Sequence, residues 1–108
     1  MKNKNIIALI PARGGSKSIP EKNLSTLGNK TLLKRTIDIA LECKFIDRVI
    51  VSTDNLKIKK HAIKEGAEVY ERPSSLSTDK ALIVDTIRHL YNVLISEGTA
   101  IDIMILLE

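Results

Sequence analysis

Asn5-Ile6-Ile7-Ala8-Leu9-Ile10-Pro11-Ala12-Arg13-Gly14-Gly15-Ser16-Lys17 passes from an apolar run straight into a glycine-rich, cationic loop. Residues 5–10 have the unbroken apolar character of a strand covered on both faces, as in the middle of a parallel sheet, and Pro11 ends it. The loop then continues as Ser18-Ile19-Pro20-Glu21-Lys22-Asn23. Gly14 and Gly15 carry no Cβ, so the backbone is free to turn sharply and bring its N–H groups close to an anion. Arg13, Lys17 and Lys22 add fixed positive charge. A loop of this kind, leaving the end of a buried strand, is suited to holding phosphates.

The rest of the chain alternates in the same sense. Leu33, Ile37, Ala40 and Leu41 recur at helical spacing between Thr31 and Cys43. Arg48-Val49-Ile50-Val51-Ser52-Thr53 is β-branched enough for a second strand. Thr53-Asp54-Asn55 supplies a cap for a helix that reaches about Glu65 and stops at Gly66. Glu68-Val69-Tyr70-Glu71 reads as a short third strand running into the Arg72-Pro73-Ser74-Ser75 loop. A longer helix over about Lys80 to Glu97 presents Ile83, Ile87, Leu90, Tyr91 and Leu94 on one face and ends at Gly98. Residues 102–108 close the chain as a buried strand.

Strands alternating with helices over short connections predict an α/β fold with a parallel sheet, right-handed crossovers and strand order 3-2-1-4. Ligands in such sheets bind beyond the carboxyl ends of the strands. Residues 12–23, 52–55 and 72–79 all follow strand ends and are expected to gather at one edge.

At 108 residues this is one domain at most. Because no turn or cap follows the last strand, the sequence reads as the N-terminal part of a single larger domain whose sheet is unfinished after its fourth strand. Hydrophobic and charged fractions of 44% and 28% are ordinary for a globular protein. No apolar run approaches the roughly 18 residues of a membrane span. Residues 6–10 are too short for the core of a secretory signal, so a cytoplasmic location is expected. Cys43 has no partner for an intrachain disulfide and reads as a buried small apolar residue on a helix. With only His61 and His89 besides, no zinc-ligand spacing is present. A net charge of +4 fits polyanionic ligands, but the aromatic fraction of 3% leaves few platforms for base stacking, and Lys57, Lys59, Lys60 and Lys64 have the spacing of a solvated helix face. Nucleic acid is therefore not expected as a partner.

The glycine loop is neither a Walker A motif, since Ser16 precedes Lys17, nor G-x-G-x-x-G. Taken alone it is compatible with phosphate binding or with a plain flexible loop. The full string from Ile10 to Asn23, however, closely resembles the N-terminal signature of the acylneuraminate cytidylyltransferases, the CMP-sialic acid synthetase family. Val51-Ser52-Thr53-Asp54 is similar to that family's second-strand segment, and residues 71–79, from Glu71-Arg72-Pro73 to Asp79, to its arginine-proline loop. Ile105-Leu106-Leu107-Glu108 is similar to a later strand, with Glu108 where glutamine is often found. The resemblance covers the whole chain and about the first half of a family member.

That resemblance implies a Rossmann-like nucleotidyltransferase fold, of the nucleotide-diphospho-sugar transferase type, in three α/β/α layers. It implies transfer of CMP from CTP to a nonulosonic, nine-carbon sugar acid with release of pyrophosphate, and residues 1–108 as the CTP-binding part. Arg13 and Lys17 would face the triphosphate as catalytic cations, with Lys22 nearby. Ala12, Gly14, Gly15 and Ser16 would line the turn, and Asn23 and Arg72 would hold the cytosine. Some members contact the base through a serine where this chain has Ile83, so that bond is either missing or supplied by a neighbour such as Ser77. Magnesium is implied as cofactor, with its aspartates and the sugar-binding segment in the C-terminal half, so no metal ligand is assigned in this chain. The resemblance also implies a possible homodimer in the full-length form and an isolated chain without activity. A related cytidylyltransferase for 3-deoxy-octulosonate, or a non-catalytic nucleotide- or nucleic-acid-binding module, remain the alternatives.

The other candidates have plainer readings. Asp54 and Asp79 stand where helices begin and read first as caps. Asp85 reads as exposed or paired. His61 and His89, on helices without a carboxylate or serine arrangement, read as surface residues.

Overall fold

A computed structural model describes residues 5–12, 26–27, 30–71 and 83–107. In chain order the elements are β1 (Ile6–Pro11), β2 (Thr26–Leu27), β3 (Lys30–Thr31), α1 (Leu32–Glu42), β4 (Arg48–Thr53), α2 (Leu56–Lys64), β5 (Glu68–Glu71), α3 (Ile83–Ser96) and β6 (Ile103–Leu106). Four strands form one sheet in the order β5-β4-β1-β6, every pair parallel. Renumbered by the strands foreseen in the sequence, this is the order 3-2-1-4. The short β2 and β3 pair antiparallel in a separate two-stranded sheet that the apolar pattern does not announce.

Alternation along β1 sends successive side chains into two cores. Ala8, Ile10 and Ala12 pack with Val49 and Val51 against Leu33, Ile37 and Ala40 of α1 and Ile58 and Ala62 of α2. Ile7, Leu9 and Ile50 pack on the other face against Leu90 and Leu94 of α3. The result is three layers with the sheet in the middle. From β1 the chain moves to β4 and β5 with helices on one face, then returns through α3 on the other face to β6 on the far side of β1. Both movements keep one hand of crossover, and the direction reverses between β1 and β6.

Pro11 takes part in β1, pairing with Ser52, rather than standing just outside it. Alternation turns its nitrogen toward β6, where the last bond runs from the Leu107 N–H to the Leu9 carbonyl at 2.9 Å. Without an N–H, Pro11 has no bond to donate on that side.

Helix ends follow local chemistry. Thr31 caps α1 by accepting from the Lys34 N–H, and Asn55 caps α2 by accepting from the Ile58 N–H. Asp54, read as the cap, is one residue early and exposed. At the other ends Gly66 and Gly98 adopt φ of 98° and 85°. Ala67 N–H bonds to the Ala62 carbonyl and Thr99 N–H to that of Leu94, both at 3.0 Å, so both helices close with the same left-handed motif.

Four packing expectations need correction. Leu41 is 49% exposed and Tyr91 46% exposed. Each lies about 100° round its helix from the last buried neighbour, Ala40 or Leu90, and falls on the flank. Thr86 takes the inward position on α3 instead, at 2% exposure. Cys43 is the half-buried residue after α1, not a buried helical one. The β6 strand is half-buried, with Ile103 exposed, because it lies at the sheet edge and α3 covers only one of its faces.

Candidate functional site at the carboxyl edge of the sheet

Because all four strands run the same way, Pro11, Thr53, Glu71 and Leu106 end on one edge. Residues 13–25 leave from the central strand and residues 72–82 from the outer one. Among the described residues this edge is built as a firm rim. Ala12 is fully buried and its N–H donates to the Ser52 carbonyl at 2.9 Å, prolonging β1 by one residue beyond the proline. Its methyl belongs to the core and its N–H to the sheet, so its place in the site is as the fixed point from which the glycine loop departs.

Ser52 and Thr53 put two buried hydroxyls at the end of β4, each at 1% exposure. Thr53 Oγ1 accepts from the Asn55 N–H at 3.1 Å, which bends the chain into α2. Asp54 sits at the crest of that bend and is exposed. At the end of β5, Glu71 takes a 2.9 Å bond from Lys59 Nζ on α2, and this bond holds its carboxyl below the usual carboxylate range. The residue before Arg72 is thereby tied to the helical layer.

Carboxylates at the opposite edge have another use. Asp47 Oδ2 accepts from the Ile6 N–H and Asp102 Oδ2 from the Asn5 N–H, both at 2.7 Å, fixing the start of the central strand. Asp85 on α3 lies 3.8 Å from Arg88. His89 is half-buried on α3, and His61 is half-buried with its Nε2 2.7 Å from Thr31 Oγ1, so neither is a plain surface histidine. The His61 contact joins residues 30 apart, and no periodicity in the sequence signals it.

Of the residues that the sequence puts forward for the site, Ala12 is described here. Arg13, Gly14, Gly15, Ser16, Lys17, Lys22, Asn23, Arg72 and Ser77 lie outside the described residues, as do Asp79 and Glu108. Among the described residues no group of three or more His, Cys, Asp or Glu side chains could hold a metal ion. The described part of the rim thus supplies no complete magnesium site by itself, in line with a metal held by one or two carboxylates together with substrate phosphates. No helix among the described residues is long and apolar enough to cross a membrane.

The chain is 42% identical over 88 residues to the N-acylneuraminate cytidylyltransferase of Escherichia coli O18:K1:H7, a match covering 82% of this chain and 21% of that protein. It is 40% identical over 83 residues to the CMP-N,N'-diacetyllegionaminic acid synthase of Legionella pneumophila, covering 76% of this chain and 36% of that one. In structure it is similar to a CMP:2-keto-3-deoxy-manno-octonic acid synthetase solved in complex with CTP, with a TM-score of 0.76 at 24% identity over 95% of this chain and 39% of the other. The chain thus spans well under half the length of the proteins it matches. A sequence model of the cytidylyltransferases matches residues 7–103, from the second residue of the central strand to the first of β6, and on this ground the chain belongs to the cytidylyltransferase family.

Proposed function

We propose that this chain is the CTP-binding part of an enzyme that transfers CMP from CTP to a nonulosonic acid of the sialic type. The observation that supports the reading most is the position of the strand end from which one motif departs. The segment that begins at Arg13 leaves the carboxyl end of the central strand, beside the point where the sheet reverses direction, where α/β sheets bind their ligands. Relatives named for N-acylneuraminate and for N,N'-diacetyllegionaminic acid support the substrate class without choosing within it.

In this reading a hydroxyl oxygen of the sugar acid attacks the α-phosphorus of CTP. The new P–O bond forms as the bond to the β-phosphate breaks, pyrophosphate leaves and the hydroxyl proton passes to solvent. Negative charge builds on the leaving pyrophosphate, so catalysis rests mainly on preorganised positive charge and N–H donors. Arg13 and Lys17 supply that charge, with Lys22 nearby, and the backbone of the Gly14 to Ser16 turn adds donors. Asn23 and Arg72 hold the cytosine and Ser77 contributes a hydrogen bond to it. The strand end at Ala12 fixes where the loop starts. The sugar acid and the magnesium ion would be held largely by other parts of a full-length protein, and homodimerisation belongs to that form.

The test is calorimetric titration with CTP, using ATP, GTP and UTP as controls, with and without magnesium, on a sample shown by circular dichroism to be folded. Saturable binding selective for CTP is expected, weakened about tenfold or more by Arg13→Ala, since a charge-assisted bond to phosphate is lost. A folded sample that binds all four nucleotides equally, or none, would overturn the reading.

A further inference from the structure

The described residues on either side of 13–25 are both held by hydrogen bonds. On the near side the Ala12 N–H is bonded into the sheet. On the far side β2 pairs with β3 through Thr26 with Thr31 and Leu27 with Lys30. Two strands of two residues, hydrogen-bonded to no strand of the main sheet, are marginal by themselves. Thr31 is where they are made fast: it is at once the last residue of β3 and the N-cap of α1.

Thr31 Oγ1 accepts from the Lys34 N–H at 3.0 Å and lies 2.7 Å from His61 Nε2 on α2. The hydroxyl has two lone pairs and one proton. One lone pair serves the cap, so the histidine contact uses either the proton or the second lone pair, and the cap survives in both cases. One turn further along α2, Glu65 Oε2 lies 3.2 Å from Lys34 Nζ, a second tie between the same two helices that does not touch the Thr31 side chain.

We propose that His61 is a positioning residue: through Thr31 it fixes the β2–β3 pair at which the chain returns from residues 13–25, and so supports the nucleotide affinity assigned to those residues. What those residues hold rests on the CTP reading; the anchoring of the pair does not. Comparing His61 with Glu65 separates positioning from mere helix-to-helix stabilisation, because both residues link α1 to α2 but only His61 reaches the return point.

The experiment compares the chain with its His61→Leu, His61→Gln and Glu65→Gln variants, reading amide exchange across residues 30–34, melting temperature and CTP affinity. His61→Leu is expected to speed exchange of the Lys34 amide and to weaken CTP binding by about three- to tenfold, the scale of one net hydrogen bond. His61→Gln, whose side-chain amide also offers both a donor and an acceptor, is expected to restore both. Glu65→Gln is expected to lower the melting temperature and leave CTP affinity unchanged. Unchanged Lys34 exchange in His61→Leu overturns the proposal outright. So does equal weakening of CTP binding in His61→Leu and Glu65→Gln, or unaltered CTP affinity in His61→Leu when the parent chain binds. Faster exchange in His61→Leu in a parent chain that binds no CTP upholds the anchoring and sinks the nucleotide reading instead.

Discussion

Arg48 sits at the start of β4 and donates from Nε and Nη2 to the two carboxylate oxygens of Glu68 at 2.8 and 2.7 Å, a bidentate pair across neighbouring strands. Its Nη2 also reaches Tyr70 Oη at 3.3 Å, and that hydroxyl in turn donates to Glu97 Oε1 at 2.7 Å, just past α3. The Arg48 bonds hold the Glu68 carboxyl below its ordinary value of 4.5, while the bond to Glu97 raises the Tyr70 hydroxyl above 10.0. The two signs predict two limits. A lowered carboxyl contributes stability that is fully present above its unfolded value and is lost as pH falls below about 4.5 through the folded one. A raised tyrosine contributes below pH 10.0 and its contribution is lost as pH rises through the folded value. In a titration of tyrosinate absorbance, Tyr70→Phe is expected to remove a component above pH 10.0, and Glu97→Gln to move that component to lower pH. A profile unchanged by Glu97→Gln would show that the bond is not made in solution. None of these partners could be paired from sequence spacing, since Arg48 and Glu68 are 20 residues apart and Tyr70 and Glu97 are 27 apart.

Among the elements, the helices show how far local chemistry reaches. Gly66 and Gly98 close α2 and α3 with the same bonds at the same backbone sign, but their surroundings differ. A Cβ at Gly98 would meet nothing within 4 Å, whereas one at Gly66 would lie 3.3 Å from Leu41 Cδ1. Gly98→Ala is therefore expected to cost about 1 kcal/mol for the left-handed backbone alone. Gly66→Ala is expected to cost more, because the Leu41 side chain must also give way. Thermal or denaturant unfolding checks the order, and equal losses would mean that Leu41 adjusts freely. Both stops were legible from the glycines themselves. The caps were legible as a class of residue, but Asn55 rather than Asp54 takes the position, because Thr53 Oγ1 bonds to the Asn55 N–H and sets the bend one residue later.

At the scale of the molecule one sheet serves two cores. Leu9 and Ile50 face α3, while their neighbours Ile10 and Val51 face α1 and α2. Loss of packing on one face should therefore be felt on the other through the shared strands. Leu90→Ala, at a position with 0% exposure, is expected to cost about 2–5 kcal/mol. Amide protection in α1 should fall along with that in α3. If α1 kept its protection while α3 lost it, the layers would be separate folding units, and the central strand would not couple them.

The sequence by itself determined the alternation of the four main strands with the three helices, the parallel sheet with its 3-2-1-4 arrangement, the helix stops and the family, but not the small β2–β3 pair. These follow from short-range periodicity, from β-branched runs and from the motif between Ile10 and Asn23, all of which are properties of neighbours along the chain. From Gly14, Gly15 and the cations around them it raises anion binding by the glycine loop as an expectation. Only the tertiary structure decided that Ala12 is committed to the sheet, that Tyr91 and Leu41 lie on helix flanks while Thr86 turns inward, and that His61 reaches Thr31. The reason is that burial and pairing depend on which surfaces the crossovers bring together. Two helices laid side by side on one face of a sheet create contacts between residues 30 apart that no local pattern encodes.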